Sequence, residues 1–170
     1  MSKKSLALLK RVIRVNLKNN GSPLFHVALV EPEIPQNTGN IGRLTLGLNV
    51  RLHLVHPLGF SLSEKAVRRA GLDYWKNVDV QEHKSIDDFL EWAFGKSLVL
   101  FSTKAIPSYR KTSFEKDCVL VFGPESRGLS TDLRERFPCV TIPMSGPIRS
   151  LNLSNAVAVA SYEAYHQIHG

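Results

Sequence analysis

The chain has 170 residues, 43% of them hydrophobic and 22% charged, a length and composition that fit one globular domain and exclude a disordered or fibrous protein. No apolar run reaches the roughly 20 residues that a membrane-spanning helix needs, so no membrane partner is expected. The formal net charge of +7 points to an anionic partner such as a nucleic acid.

The positive charge is concentrated in an N-terminal extension, residues 1–22. Six cations precede the first acid, Glu31, and the rest of the chain balances 16 cations against 15 acids. The six are Lys3, Lys4, Lys10, Arg11, Arg14 and Lys18. Such a segment suits phosphate contacts, and its apolar residues at helical spacing also allow a basic helix packed on the body. A transit peptide or a loose tail is the alternative, and the cations that interrupt the apolar run argue against a secretory signal.

The first half of the body, residues 23–170, alternates strand and helix signals. Phe25–Val30 is an apolar run typical of a strand buried on both faces. Two prolines then exclude a regular element, and we expect Asn37 or Thr38 to cap a helix that ends near Leu48. Arg51–His56 predicts a second strand, and a possible capping box predicts a short helix from Ser61 to Ala70.

The second half continues the alternation. The pattern predicts strands near 78–81 and at 97–102, 118–122 and 140–142, and helices at 85–94 and 152–167. This order indicates a single α/β domain with a mainly parallel sheet flanked by helices.

The cysteines and histidines indicate no metal site. Cys118 and Cys139 each open a predicted strand and lack metal-ligand spacing, so we expect reduced core residues in a cytosolic protein. The six histidines likewise lack ligand spacing.

Three loops that follow predicted strands carry the candidate chemistry, since ligands of such sheets bind at the carboxyl ends of the strands. The segment 37–43 could admit a phosphate to a helix N-terminus, but it lacks the dinucleotide and P-loop fingerprints, so an oxidoreductase or nucleotide hydrolase loses its main support. In this loop Arg43 is either an exposed helix arginine or a functional one. In the second loop, 122–129, Glu125 could bind backbone amides or a ligand ribose. The third loop, 142–156, holds more Ser and Asn residues than one helix cap requires.

These segments, together with Arg69-Ala-Gly-Leu-Asp-Tyr74, resemble the motifs of the trefoil-knot SPOUT (SpoU/TrmH-like) RNA methyltransferases. The similarity covers about residues 25–168, and the chain is most similar to the TrmL/YibK-type tRNA wobble-nucleotide 2'-O-methyltransferases. The resemblance implies an α/β fold with a deep C-terminal knot, S-adenosylmethionine as cofactor, S-adenosylhomocysteine as product, and a homodimer without metal.

The resemblance also implies roles for individual residues. Cofactor contacts are expected from Phe101, Thr103, Gly123, Glu125, Ile142, Met144, Ser150, Leu151 and Asn152. Catalytic roles are expected for Arg43, Asn37, Ser150 and Asn152, and substrate contacts for Arg43, Lys104, Arg127, Arg149 and Tyr162. Because a guanidinium stays protonated, electrostatic support by Arg43 is favoured over proton abstraction.

The expected function is methylation of a ribose 2'-hydroxyl of tRNA, at a wobble cytidine or uridine, in the cytoplasm. Another tRNA or ribosomal RNA nucleotide, or a non-catalytic RNA-binding module of the same fold, is the alternative. A dimer is expected on a second ground, because the last predicted helix is apolar on more than one side, although full burial in one subunit would also explain this.

Overall fold

The computed structural model describes residues 22–61 and 74–170. The predicted basic extension and the predicted helix at 61–70 therefore fall almost wholly outside the described residues. Within the described ranges, no helix combines the length and the apolar character needed to cross a membrane.

Six parallel strands form one sheet in the order β3-β2-β1-β5-β4-β6. They are β1 (His26–Val30), β2 (Arg51–Val55), β3 (Val80–His83), β4 (Leu98–Phe101), β5 (Val119–Phe122) and β6 (Cys139–Val140). The predicted parallel α/β sheet is thus confirmed. The strand expected near 78–81 lies slightly later, and the last strand ends at Val140, from which the chain continues into an isolated bridge between Thr141 and Ser108.

In the described residues, the sheet is flanked by the helices α1 (Pro35–Leu48), α2 (Ile86–Trp92), α3 (Thr131–Arg136) and α4 (Leu153–His169). Short 3-10 turns occur at Trp75–Asn77 and Tyr109–Lys111. Helix α3 was not predicted, because six residues are too few to establish a helical period. Its start is marked by Ser130, whose hydroxyl accepts a hydrogen bond from the Leu133 amide at 3.3 Å.

The predicted start of α1 is wrong. The helix begins at Pro35, and its N-cap residue, Ile34, is extended and makes no side-chain cap. Proline fits the first helical position because its missing N–H would have no partner there and its ring fixes a helical φ. The Asn37 side chain does not cap the helix and is available for other hydrogen bonds. At the other end, Asn49 closes the helix in the left-handed conformation, with φ of 54°.

Alternate strand residues face two apolar layers. One layer contains Val27, Leu29, Leu52, Leu120 and Phe122 and packs against Ile41 of α1 and Val157, Ala160 and Ala164 of α4. The other contains Ala28, Val30, Leu100 and Val121 and packs against Phe89 of α2 and Leu133 of α3. The result is a three-layer sandwich whose sheet is buried on both faces, which explains the continuous apolar runs in the sequence.

Three histidines form a buried chain across β1, β2 and β3. His26 Nδ1 lies 2.9 Å from His53 Nε2, and His53 Nδ1 lies 2.9 Å from His83 Nε2. Carboxylates stand at both ends, with Asp117 Oδ1 2.9 Å from His26 Nε2 and Asp88 Oδ2 3.8 Å from His83 Nδ1. Every inner ring nitrogen is paired, so the chain is a hydrogen-bonded core element.

The strand order gathers the candidate loops. β1, β5, β4 and β6 are neighbours in the sheet, so the segments that follow their carboxyl ends meet at one edge. These segments contain all three loops singled out in the sequence. The knotted path that the resemblance implies stays a prediction.

Candidate active site

A cavity of about 740 Å³ opens at this edge of the sheet. All nine residues predicted to contact the cofactor line it: Phe101, Thr103, Gly123, Glu125, Ile142, Met144, Ser150, Leu151 and Asn152. Three of the predicted substrate contacts, Lys104, Arg127 and Arg149, line it too, as does Asn37. The structure thus brings together residues that lie far apart in the chain.

Gly123 shapes the cavity wall directly after β5. A Cβ atom at this position would lie 2.4 Å from the Leu129 nitrogen and 2.5 Å from the Gly128 carbonyl carbon. These are backbone atoms of the same loop, so they cannot rotate away. Gly128, with φ of +68°, lets the loop turn back onto Gly123. The close return of the loop therefore depends on both glycines.

Glu125 holds the second loop against the first. Its carboxylate accepts hydrogen bonds from the amides of Glu33 (2.8 Å) and Ile34 (3.3 Å), and from the Asn37 side-chain nitrogen (2.9 Å). These groups surround the N-terminus of α1, where a negative charge is favourable. Of the two roles that the sequence left open for Glu125, the structure places it on backbone amides.

Asn37 and Asn152 connect the first loop to the third. The Asn152 side-chain nitrogen donates to the Asn37 oxygen at 2.9 Å, while the Asn152 oxygen accepts from the amide and the hydroxyl of Ser154 at 2.9 and 2.7 Å. Asn152 is thereby the N-cap of α4. Because the buried Asn37 side chain bonds to both Glu125 and Asn152, it connects all three loops.

Arg127 lies at the rim among acidic partners. It pairs with Glu31, and its Nη1 atom is 3.7 Å from the Glu33 carboxylate. The Ser126 hydroxyl and amide donate to Glu33, and these bonds lower the pKa of that carboxyl below its usual value, with Arg127 adding a smaller effect. The Arg127 side chain stays 63% exposed, so its outer face is open to a substrate.

Two predicted residues lie outside the cavity. Arg43 is exposed on α1, with its guanidinium 5.6 Å from the centre of the Tyr74 ring. Tyr162 is 59% exposed on α4, near Tyr165. Neither residue lines the cavity of this chain, so the structure does not bring them together with the other predicted site residues.

Comparison with known proteins decides the family. The model of the SpoU rRNA Methylase family matches residues 24–162. The chain belongs to this family. The tRNA (cytidine(34)-2'-O)-methyltransferase of Methylovorus glucosotrophus is 44% identical over 147 residues, which are 85% of this chain and 96% of that protein.

Solved structures of SpoU-type enzymes share the fold. One, from work on 2'-OH methylation of C/U34 on tRNA, is 49% identical, has a TM-score of 0.81, and covers 86% of this chain and 97% of its own. The SpoU methyltransferase AviRb from Streptomyces viridochromogenes, in complex with the cofactor AdoMet, is 26% identical with a TM-score of 0.74. That match covers 86% of this chain and 59% of AviRb.

The cavity of this SpoU chain fits an adenosyl cofactor. Its walls combine apolar side chains with polar groups and loop backbone, as is usual for sites that bind a nucleoside-sized ligand. Phe101, Phe122 and Ile142 supply apolar surface, while Thr103 and Ser150 supply hydroxyls. The cavity is large enough for the nucleoside and the amino-acid tail together.

Sequence reasoning missed part of the site. Ser102, Thr141 and Ala156 line the cavity but are not among the predicted site residues. Ser102 and Thr141 directly follow β4 and β6, so the rule that ligands bind at carboxyl ends was a signal for both. The hydrogen bond between Ser126 and Glu33 could not be predicted from the sequence, because it joins side chains 93 residues apart.

Other nucleophiles and metal ligands of the described chain do not form a competing site. Burial raises the pKa of the Cys118 thiol to about 11 and also raises that of Cys139, so neither forms a thiolate readily. Both cysteines are free. Among residues 22–61 and 74–170, no cluster of three or more His, Cys, Asp or Glu side chains could hold a metal ion.

Proposed function

We propose that the protein transfers a methyl group from S-adenosylmethionine to the ribose 2'-hydroxyl of the wobble nucleotide of a tRNA. The observation that carries this proposal is that all nine expected cofactor residues line the same cavity. Its family supports the reaction, and relatives more than 40% identical over most of both chains are named for methylation of cytidine 34.

The reaction requires alignment more than strong acid–base chemistry. When bound, the cofactor supplies an electrophilic methyl group on a sulfonium sulfur. That chemistry would join the methyl carbon to the ribose oxygen, leave S-adenosylhomocysteine as a thioether, and release the hydroxyl proton to solvent water. Holding the two reacting groups in line can lower a barrier by about 7–11 kcal/mol. The tie between Asn37, Glu125 and Asn152 keeps the loops in place for this alignment.

Arg43 contributes electrostatic support in this proposal. The 2'-oxygen gains negative charge as its proton leaves, and a guanidinium nearby stabilises that charge. Arg43 has no ion pair in the described part of the chain, so its charge is available for the oxygen or for an adjacent phosphate.

The rim of the cavity provides the RNA-binding surface. Lys104, Arg127 and Arg149 line the cavity, and such side chains bind phosphates without reading sequence. The basic extension adds charge for the rest of the tRNA. A tRNA substrate and two free cysteines fit a cytoplasmic location.

The active form is proposed to be a homodimer. On α4, Val159 is 38% and Tyr162 is 59% exposed, although the opposite side of this helix is already buried in the core. Pairing of these faces would cover the apolar surface. It would also bring the exposed Tyr162 next to a neighbouring subunit.

The proposal is tested by incubating the protein with radiolabelled S-adenosylmethionine and unmodified tRNA. We expect label in alkali-resistant dinucleotides that contain a methylated wobble nucleotide, and a loss of at least about a hundredfold in Arg43→Ala, in line with losses of one electrostatic donor. Arg136→Ala is the matched control, since this exposed arginine lies on α3, pairs with Asp132 and does not line the cavity.

Each outcome bears on a different part of the proposal. Label at another position of tRNA would contradict the wobble assignment, and label only in ribosomal RNA would contradict the tRNA assignment. Cofactor binding without transfer to any RNA would favour a non-catalytic RNA-binding module. Failure to bind the cofactor would overturn the assignment of the cavity.

A further inference from the structure

A short aromatic turn, Tyr74–Asn77, is seated against helix α1 at the residue before Arg43. An ideal Cβ on Gly42 would lie 2.5 Å from Cζ3 of Trp75, so the indole occupies the space that any other residue would fill. Trp75 also packs against the apolar core on this face of the sheet. The turn is therefore fixed relative to the backbone that carries Arg43.

Tyr74 contacts α1 at two points. Its hydroxyl donates a hydrogen bond to the Gly39 carbonyl oxygen at 3.1 Å, one turn before Arg43. Its ring lies beneath the Arg43 guanidinium, 5.6 Å from ring centre to Cζ. This separation is within the range of attractive cation–π contacts.

Arg43 has an aromatic partner and no carboxylate partner among the described residues, whereas Arg136 has both, Phe137 and Asp132. Arg51, Arg127 and Arg136 each hold a carboxylate, which offsets part of the positive charge. An aromatic ring orients a guanidinium through its flat face and leaves all five N–H donors at the edge free. Arg43 is thus oriented and still able to bind an anionic oxygen.

We propose that Tyr74 is a positioning residue that holds Arg43 in the orientation used during methyl transfer. The inference rests on the proposed function, in which Arg43 supports the charge that develops on the ribose oxygen. The hydroxyl fixes the ring to α1, and the ring fixes the guanidinium. Gly42 is the structural requirement for this arrangement because it admits Trp75.

The test compares Tyr74→Phe and Tyr74→Leu with the native protein in steady-state tRNA methylation. Tyr74→Leu removes the ring, and we expect kcat to fall about fivefold, as for loss of a cation–π contact at an exposed site, with KM for S-adenosylmethionine unchanged. Tyr74→Phe keeps the ring but loses the hydrogen bond to Gly39, so its kcat should lie between those of the native protein and Tyr74→Leu. In an Arg43→Ala background, Tyr74→Leu should have no further effect, because coupled residues are not additive.

A second readout does not depend on activity or on the folding of a variant. In NMR spectra of the native protein, the Arg43 Hδ and Hε resonances should be shifted upfield by the Tyr74 ring current. Ordinary shifts for these protons would overturn the proposal even if the protein proved inactive on tRNA. Equal kcat for Tyr74→Leu and the native enzyme, or an undiminished effect of Tyr74→Leu without Arg43, would also overturn it. An inactive native protein with shifted resonances would contradict the proposed function alone.

Discussion

Asn37 is the residue at which the first, second and third loops of the site meet. Its amide nitrogen donates to Glu125 and its oxygen accepts from Asn152, both at 2.9 Å. Only a side chain with a donor and an acceptor at one end can make both bonds, so an aspartate would lose the first of them. The sequence suggested Asn37 as a helix cap, because its true partners lie 88 and 115 residues away in the chain and become neighbours only in the folded sheet.

Gly123 provides a residue-scale test of the cavity. In Gly123→Ala, the new methyl group would meet backbone atoms at 2.4 and 2.5 Å, so the loop must move. We expect a loss of stability of about 1–3 kcal/mol, typical of overpacking, together with much weaker binding of S-adenosylmethionine. Thermal unfolding and isothermal titration calorimetry measure the two effects.

Gly47→Ala is the control for this substitution. Gly47 lies on an exposed part of α1 and has no atom within 4 Å of its ideal Cβ. Alanine there should stabilise the helix by about 0.5–1 kcal/mol and leave cofactor binding unchanged. Native-like cofactor affinity in Gly123→Ala would show that the loop tolerates a side chain and that its close return is not essential.

At the scale of elements, the strands β1, β2 and β3 are linked by the chain His26, His53 and His83. Burial lowers the pKa of all three histidines, and for His53, which also faces its two neighbours, the pKa falls to about 2. At the ends, Asp117 opposes this effect at His26 and Asp88 opposes it at His83, while Lys96 and Arg51 reinforce it at His26 and His53. The three histidines are therefore uncharged in the folded state.

The histidine chain predicts a loss of stability in mild acid. Below pH 6.5 the histidines of the unfolded chain take up protons, whereas the buried histidines of the folded chain stay neutral. The free energy of unfolding is therefore highest above pH 6.5, as far as these groups contribute, and decreases as the pH falls below it. Each histidine that stays neutral in the folded state lowers the free energy of unfolding by about 1.4 kcal/mol per pH unit below pH 6.5. Urea unfolding at pH 7.5, 6.5 and 5.5 measures this slope.

Two variants identify the source of the slope. His53→Gln should be less stable at neutral pH, because it disrupts two buried hydrogen bonds, yet its stability should fall less steeply between pH 6.5 and 5.5. The exposed His166→Gln should retain the native slope. A native slope in His53→Gln would mean that another group controls acid stability.

The elements differ in how well the sequence predicts them. Strands buried on both faces, such as β1 and β5, are readily predicted because each contains four consecutive apolar residues. The six-residue helix α3 could not be predicted, because it has one buried residue and so shows no apolar pattern. The start of α1 was predicted wrongly, because a proline begins the helix where a side-chain cap was expected. The cavity residues came from a resemblance of motifs, while the bonds that tie the loops together depend on tertiary structure.

For the molecule as a whole, the proposed dimer gives a direct prediction. Val159→Glu places a charge on the exposed apolar face of α4, and burying it in a subunit interface would be costly. Sedimentation velocity should therefore find a dimer for the native protein and a monomer for this variant.

Phe94→Glu is the matched control for the interface. Phe94 is 91% exposed, follows α2, and lies away from α4 on the other side of the sheet, so this variant should remain dimeric. A monomeric native protein would contradict the proposed dimer, and a dimeric Val159→Glu would place the interface elsewhere.

The way in which distant segments build the cavity has a consequence for folding. Its walls come from the segment at 34–37, from the loops after β4, β5 and β6, and from the first turn of α4. The bond between Asn37 and Asn152 closes a loop of 115 residues. Contacts of such long range form late, because the chain must first lose the entropy of bringing its ends together. During synthesis, a growing chain would therefore have most of its sheet before it could hold the methyl donor.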